Sequence, residues 1–206
     1  MVKTSSTMLS LGTPLPLLDL PVIKGTDLRS DLYFTELDRI NNSTLLKRPV
    51  LIMIICAHCP FVKHIEFEIS KIDQDYGSQI QILAISSNSL ETHPQDSPEN
   101  LSAQARDNGW TFPYLFDQDQ AFAKALQAAC TPDFFLFDFS NERKHFLKYR
   151  GQLDASRPGN DIPVNGSDLR KAIETLLSGK PLLDDQKPSI GCNIKWHPGK
   201  EPNWFG

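Results

Sequence analysis

The chain has 206 residues, 40% of them hydrophobic and 22% charged, with a formal net charge of −4. That balance suits a globular protein with one well-filled core. The absence of a Lys/Arg-rich run argues against a nucleic-acid-binding surface, and no apolar stretch approaches the roughly 20 residues that span a bilayer.

In chain order, the N-terminal section MVKTSSTMLSLGTPLPLLDLPVIKG is interrupted by Thr, Ser and three prolines. It contains no continuous apolar segment ahead of a small-residue cleavage site, so it does not read as a signal peptide, and a cytoplasmic location is expected. RPVLIMII (48–55) is a continuous apolar run with β-branched residues, as expected of a strand covered on both faces. In FVKHIEFEISKIDQDY (61–76), Val62, Ile65, Ile69, Ile72 and Tyr76 fall three or four apart and predict one amphipathic helix. SQIQILAIS (78–86) returns to strand character. Ser97 and Pro98 open the next helix as N-cap and first helical residue, and Gly109 ends it.

YLFD (114–117) predicts a short strand, followed by a helix over QAFAKALQAA (120–129). FFLFDF (134–139) and KHFLKYR (144–150), joined by the turn-like SNER, predict a hairpin. DLRKAIETLLSGK (168–180) is a helix with Gly179 near its end. The order β-α-β-α-β-α-β-β-α implies a mixed α/β architecture: parallel strands with crossover helices, closed by an antiparallel hairpin. Two irregular stretches, 151–166 and everything after Lys180, are long enough to be functional or covering elements. The second carries Trp196, Trp204 and Phe205, which could clamp it onto the domain.

The four cysteines stand at 56, 59, 130 and 192. In a reducing compartment a close pair is more often catalytic or metal-binding than structural. Cys56 and Cys59 fall where the strand hands over to the helix, the edge at which open α/β sheets build their sites. Helix N-terminal N–H groups there favour a thiolate, which is the reactive form. On this reading Cys56 is the exposed attacker and Cys59, one turn inside, resolves the mixed disulfide. His58 between them can stabilise the Cys56 thiolate, each pKa unit being about 1.4 kcal/mol, or about 30 mV for a two-electron couple. Zinc would need two further ligands, and no second C-x-x-C or H-x₃₋₅-H is present. His64, His93 or Cys130 could supply one. No cofactor or resident metal is expected.

CAHCP after an apolar strand, with CTPDFFLFD some 70 residues later, resembles the thioredoxin superfamily. ICAHCPFVKH, AISSN, FPYLFD, YRGQLDASRPGN and SIGCNIKW narrow the likeness to its peroxiredoxin-like subgroup, the alkyl hydroperoxide reductase and thiol-specific antioxidant relatives. The resemblance implies a thioredoxin fold, a mixed central sheet flanked by helices. It further implies one domain over 1–206, with its core at about 12–180, an N-terminal extension and an irregular tail at 181–206. It implies a thiol oxidoreductase in antioxidant or redox work, acting on a protein or small-molecule disulfide or a peroxide and served by a thiol reductant. Thr131 and Pro132 match the family's cis-proline loop, whose free backbone edge pairs with an incoming substrate strand.

The departures are informative. Peroxiredoxins carry P-x-x-x-[TS]-x-x-C and a later-strand arginine. Aligned at the strand–helix junction, Cys59 takes the peroxidatic position, Cys56 replaces Thr/Ser, Ile52 replaces the proline, and Pro132 stands where the arginine would be. Slow peroxide reduction is therefore expected. Val50 replaces the buried acid of thioredoxins, and the x-His dipeptide is similar to that of periplasmic disulfide oxidases. The alternatives are a slow thiol peroxidase and a soft-metal (Cu or Zn) binding module. Cys130 reads as a small buried hydrophobe, with a third redox thiol as its sharper alternative. Cys192 could reach the pair only if the tail folds back. Arg157 either binds an anion or caps its loop, and His93 and His145 read as solvated.

Overall fold

A computed structural model describes residues 3–23, 25–26, 38–140 and 142–204. In chain order the elements are β1 (Lys3–Ser5), β2 (Asp19–Pro21), β3 (Arg39–Asn41), β4 (Val50–Ile54), α1 (Pro60–Lys63), α2 (Glu66–Tyr76), β5 (Gln81–Ser86) and a 3-10 turn (Pro94–Asp96). Then come α3 (Pro98–Asp107), β6 (Tyr114–Phe116), α4 (Ala121–Ala125), β7 (Cys130–Thr131), β8 (Asp133–Phe139), β9 (His145–Gly151), α5 (Ser167–Leu177) and β10 (Ile190–Asn193).

The central sheet runs β6-β5-β4-β8-β9. β4 pairs in parallel with β5, and β5 with β6; β8 runs antiparallel to both β4 and β9. This is the mixed sheet of the expected thioredoxin fold. β4 lies in the middle, which explains its unbroken apolar run. Side chains alternate across a strand, so Leu51, Met53 and Ile55 enter one core layer while Val50, Ile52 and Ile54 enter the other. The first layer is closed by Ile69, Ile72, Leu101, Leu169 and Ile173 from α2, α3 and α5. The second is closed by Phe122 and Ala123 of α4, together with residues from both chain ends, among them Leu18 and Trp196.

Most local expectations hold. The Ser97 side chain accepts from the Asn100 N–H, with Pro98 opening α3, and Gly109 (φ +65°) takes the left-handed conformation just past its end. The hairpin forms as β8 and β9; Asn141, in its turn, lies outside the described residues, as does Phe205 of the tail. Three differences bear on function. The helix predicted over 61–76 is broken at Ile65 (φ −113°, ψ 0°) into α1 and α2, and His64 at the break reaches Ser156 Oγ at 2.8 Å. His145 is buried, its Nε2 3.0 Å from the Arg48 carbonyl, and so is not solvated. The tail folds back: among its irregular residues Ile190–Asn193 form β10, held between β1 and β7 in a small antiparallel sheet.

Candidate active site

Cys56 leaves the end of β4, and Cys59 caps α1, where Pro60 occupies the first turn without wasting an N–H. Thr131 and Pro132, joined by a cis peptide, lie against them. Cys56 Sγ is 3.6 Å from Thr131 Oγ1, and Cys59 Sγ is 3.3 Å from the Thr131 carbonyl. All five residues singled out from the sequence, Cys56, His58, Cys59, Thr131 and Pro132, therefore meet in one place.

Their surroundings differ from expectation in three respects. Cys56 is not exposed: both it and Cys59 have no accessible surface. The N–H groups of the C-x-x-C turn do not face a thiolate at Cys56 either. Asp96, fully buried at the end of the 3-10 turn, accepts from the Ala57 N–H at 2.9 Å and the His58 N–H at 3.1 Å. Its second oxygen takes His58 Nδ1 at 2.6 Å and Asn88 Nδ2 at 2.8 Å. Burial alone would raise the Asp96 carboxyl, but those hydrogen bonds outweigh it and hold it below its ordinary value.

A carboxylate so placed works against a second negative charge at Cys56. The Cys56 thiol is raised well above its ordinary value by its hydrogen bond to Cys59, by burial and by the Asp96 charge. Cys59 moves the opposite way, lowered by hydrogen bonds from Cys192 and Cys56, with further help from the Val62 N–H at the start of α1. The two thiols are shifted in opposite directions, Cys56 up and Cys59 down, which favours the thiolate on the inner cysteine rather than on Cys56 as the sequence reading expects. His58 Nδ1 is 3.8 Å from Cys56 Sγ and faces Asp96 more closely, while its ring stacks on His93 at 5.1 Å. His93 is thus a neighbour of the site while staying partly exposed to solvent.

The third difference is the edge beside Pro132. It is not free for a substrate: β10 occupies it, pairing Cys192 with Thr131 and Asn193 with Cys130. Cys192 Sγ comes to 2.8 Å from Cys59 Sγ. Next to Pro132, a cleft of about 20 Å³ is lined by residues including Phe61, Arg157 and Ile190, space for about one water molecule.

The remaining candidates resolve simply. Cys130 is buried, its thiol aimed at the Pro132 carbonyl at 3.7 Å. Arg157 caps its own loop, donating to the carbonyls of Asp154 and Ser156 and to Gln152 Oε1. Cys56, His58 and Asp96 offer ligand atoms within 4.8 Å of one another, but both Asp96 oxygens are already committed to hydrogen bonds. Among the described residues, no helix is long and apolar enough to cross a membrane.

The family model for AhpC/TSA matches residues 21–147. The chain belongs to the AhpC/TSA family. Two solved structures resemble it along nearly its whole length. An uncharacterised conserved protein from Geobacillus kaustophilus is 42% identical, with TM-score 0.84, over 96% of this chain and 98% of that one. A hypothetical protein from Sinorhizobium meliloti 1021 is 39% identical, with TM-score 0.83, over 95% and 100%. AhpC from Mycobacterium bovis shares the fold at 16% identity, with TM-score 0.55, over 87% and 98%. No curated protein matches the sequence. For this AhpC/TSA member the chemistry, at the level of class, is that of a thiol oxidoreductase.

Sequence reasoning missed Asp96 and underrated Cys192. Asp96 had a local clue in the turn-forming HPQDSP, but nothing in the sequence tied that turn to residues 57 and 58.

Proposed function

We propose that the chain is a cytosolic thiol–disulfide oxidoreductase of redox homeostasis, acting as one domain and cycling Cys56 and Cys59 between dithiol and disulfide. The observation that carries this reading is the pair itself: two buried, hydrogen-bonded thiols at a strand–helix junction, one raised and the other lowered in pKa. Cys59 thiolate attacks a substrate disulfide, forming a mixed disulfide and releasing one substrate thiolate. Cys56 then attacks Cys59 Sγ, giving the Cys56–Cys59 disulfide and the second substrate thiolate. The Cys56 proton leaves towards the nearby His58–Asp96 pair. Asp96 positions the turn through its N–H groups, and Thr131 with Pro132 forms the opposite wall. An external thiol reductant restores the dithiol.

The test is titration in glutathione buffers with cysteine variants. Cys59→Ser is expected to abolish disulfide reduction, and Cys56→Ser, combined with Cys192→Ser because the Cys192 sulfur lies 2.8 Å from Cys59 Sγ, to accumulate mixed disulfides on Cys59. Wild-type turnover in both variants would overturn the reading; the opposite pattern would return the attack to Cys56.

A second reading, thiol-dependent peroxidase, is favoured by Cys59, the thiol with the lowered pKa, standing at the aligned peroxidatic position. Hydrogen peroxide would oxidise the Cys59 thiolate to a sulfenic acid with release of hydroxide, and the Cys56 thiol would condense with it, forming the Cys56–Cys59 disulfide and releasing water. Stoichiometric peroxide consumption, with sulfenic acid trapped at Cys59 in Cys56→Ser, is its signature.

A further inference from the structure

The tail strand lies where the family resemblance places a substrate. In β10, Cys192 pairs with Thr131 and Asn193 with Cys130, while on its other side Cys192 pairs with Lys3 of β1. The approach is close enough to need a glycine. A Cβ on Gly191 would stand 2.0 Å from the Thr131 carbonyl oxygen and 2.6 Å from its carbon, both backbone atoms without freedom to yield. Downstream, Ile194 and Trp196 are buried, and the Lys195 N–H donates to Asn88 Oδ1 at 2.8 Å. Upstream, the Ser6 N–H donates to the Ser189 carbonyl at 2.9 Å. The strand is fastened at both ends, and its middle presents one sulfur to another.

A cysteine serving only as a small apolar filler would face carbon. Cys192, 2% exposed, faces Cys59 Sγ at 2.8 Å across 133 positions of sequence. A shift of under about 1 Å would bring the two sulfurs to the S–S bond length of about 2.05 Å.

We propose that β10 is a built-in substrate strand and that Cys192 is a third redox thiol, which takes over the Cys59 half of the disulfide. The proposal rests on the Cys56–Cys59 couple described above. The Cys192 sulfur attacks Cys59 Sγ of the Cys56–Cys59 disulfide; the Cys59–Cys192 bond forms, the Cys56–Cys59 bond breaks, and the proton lost from Cys192 ends on Cys56. No external oxidant or reductant is consumed, since one disulfide exchanges for another. While Cys59 is a thiolate, its hydrogen bond with Cys192, together with burial and the Cys59 charge, holds the Cys192 proton in place. Once Cys59 is in a disulfide, that hydrogen bond and charge are gone, and exchange can begin. The product ties the strand covalently across the site, so reduction requires a thiol able to reach Cys192 or to lift β10.

The experiment uses the full chain. The reduced protein is oxidised with one equivalent of diamide, quenched in acid, unfolded and labelled with N-ethylmaleimide, then mapped by non-reducing tryptic mass spectrometry. The expected result is a cross-linked peptide pair joining Cys192 to the peptide carrying Cys56 and Cys59, with matching loss of label at Cys192. In Cys56→Ser, oxidation is expected to give Cys59–Cys192 alone. In Cys192→Ser and Gly191→Ala, only Cys56–Cys59 is expected. Full labelling of Cys192 alongside a Cys56–Cys59 disulfide in the wild type would overturn the proposal and leave the couple standing. A Cys59–Cys192 link in the wild type with no Cys56–Cys59 bond in Cys192→Ser would overturn the exchange step together with the couple. No disulfide in any form would overturn both.

Discussion

Replacing Asp96 with asparagine removes one charge from beside the redox pair while leaving the shape of the turn. An Asp96 oxygen lies within 4.8 Å of Cys56 Sγ. Two unit charges at that distance, in an effective dielectric of about 20, repel by about 3.5 kcal/mol. His58, sharing a proton with Asp96 at 2.6 Å, screens part of this. The Cys56 pKa is therefore expected to fall, about half of that repulsion, roughly 1.7 kcal/mol, being relieved. If Cys56 titrates above the assay pH in both proteins, its thiolate fraction near pH 7 rises about ten- to a hundredfold. The assay is alkylation of Cys56 by iodoacetamide across pH, resolved by mass spectrometry, with rates compared at matched temperature so that the opening step of the buried site cancels. The asparagine oxygen can still accept from the Ala57 and His58 N–H groups, but its amide confronts Asn88 Nδ2. The lost charged hydrogen bond should cost about 1–3 kcal/mol of stability. An unchanged Cys56 pKa in a folded Asp96→Asn protein would refute a contribution of the Asp96 charge to the raised Cys56 thiol, beside its hydrogen bond to Cys59 and its burial.

Gly191→Ala is expected to push β10 off β7, because the new methyl meets backbone rather than a movable side chain. A loss of about 1–3 kcal/mol in urea unfolding is expected, together with faster thiol labelling of Cys59 by a bulky reagent, and equal labelling rates would count against β10 as the cover. Asp133 is fully buried and its carboxyl is pushed up to about 8 by burial. Its folded-state pKa lies above the unfolded value of about 3.9, so its contribution is fully present below that value and is lost as pH rises towards 8. Asp133→Asn should therefore flatten the decline in stability between pH 4 and pH 8, and an unchanged slope in unfolding experiments would contradict this. Asp96 titrates with the opposite sign: held below its ordinary value, it contributes stability above about pH 4 that is lost as pH falls through its folded pKa, so Asp96→Asn should be less sensitive to acid in the same experiments.

The sequence by itself determined what depends on neighbouring residues. The unbroken apolar run of β4 reports burial on both faces, because alternate side chains must each meet a core layer. Ser97-Pro98 and Gly109 bound α3 because capping and left-handed backbone are properties of one or two residues. The two cysteines at the strand–helix junction, with Thr131-Pro132 further along, were legible because the fold's connectivity brings these two loops together. Helix length was less legible. Nothing in the apolar spacing of 61–76 marks the break at Ile65, since Val62, Ile65 and Ile69 are buried on either side of it.

Only the tertiary structure decided in which direction each thiol is shifted. That depends on groups distant in sequence: Asp96 beside Cys56, and Cys192 beside Cys59. A pKa is set by the field at the site, and the field sums over whatever the fold packs there. β10 was equally invisible in advance. Four residues in a proline-containing tail have no periodicity of their own, and they form a strand because β1 and β7 supply hydrogen-bonding edges and Gly191 lets them approach. Local pattern placed the thiol pair on the fold, and long-range packing set its charge and closed it over with the chain's own tail.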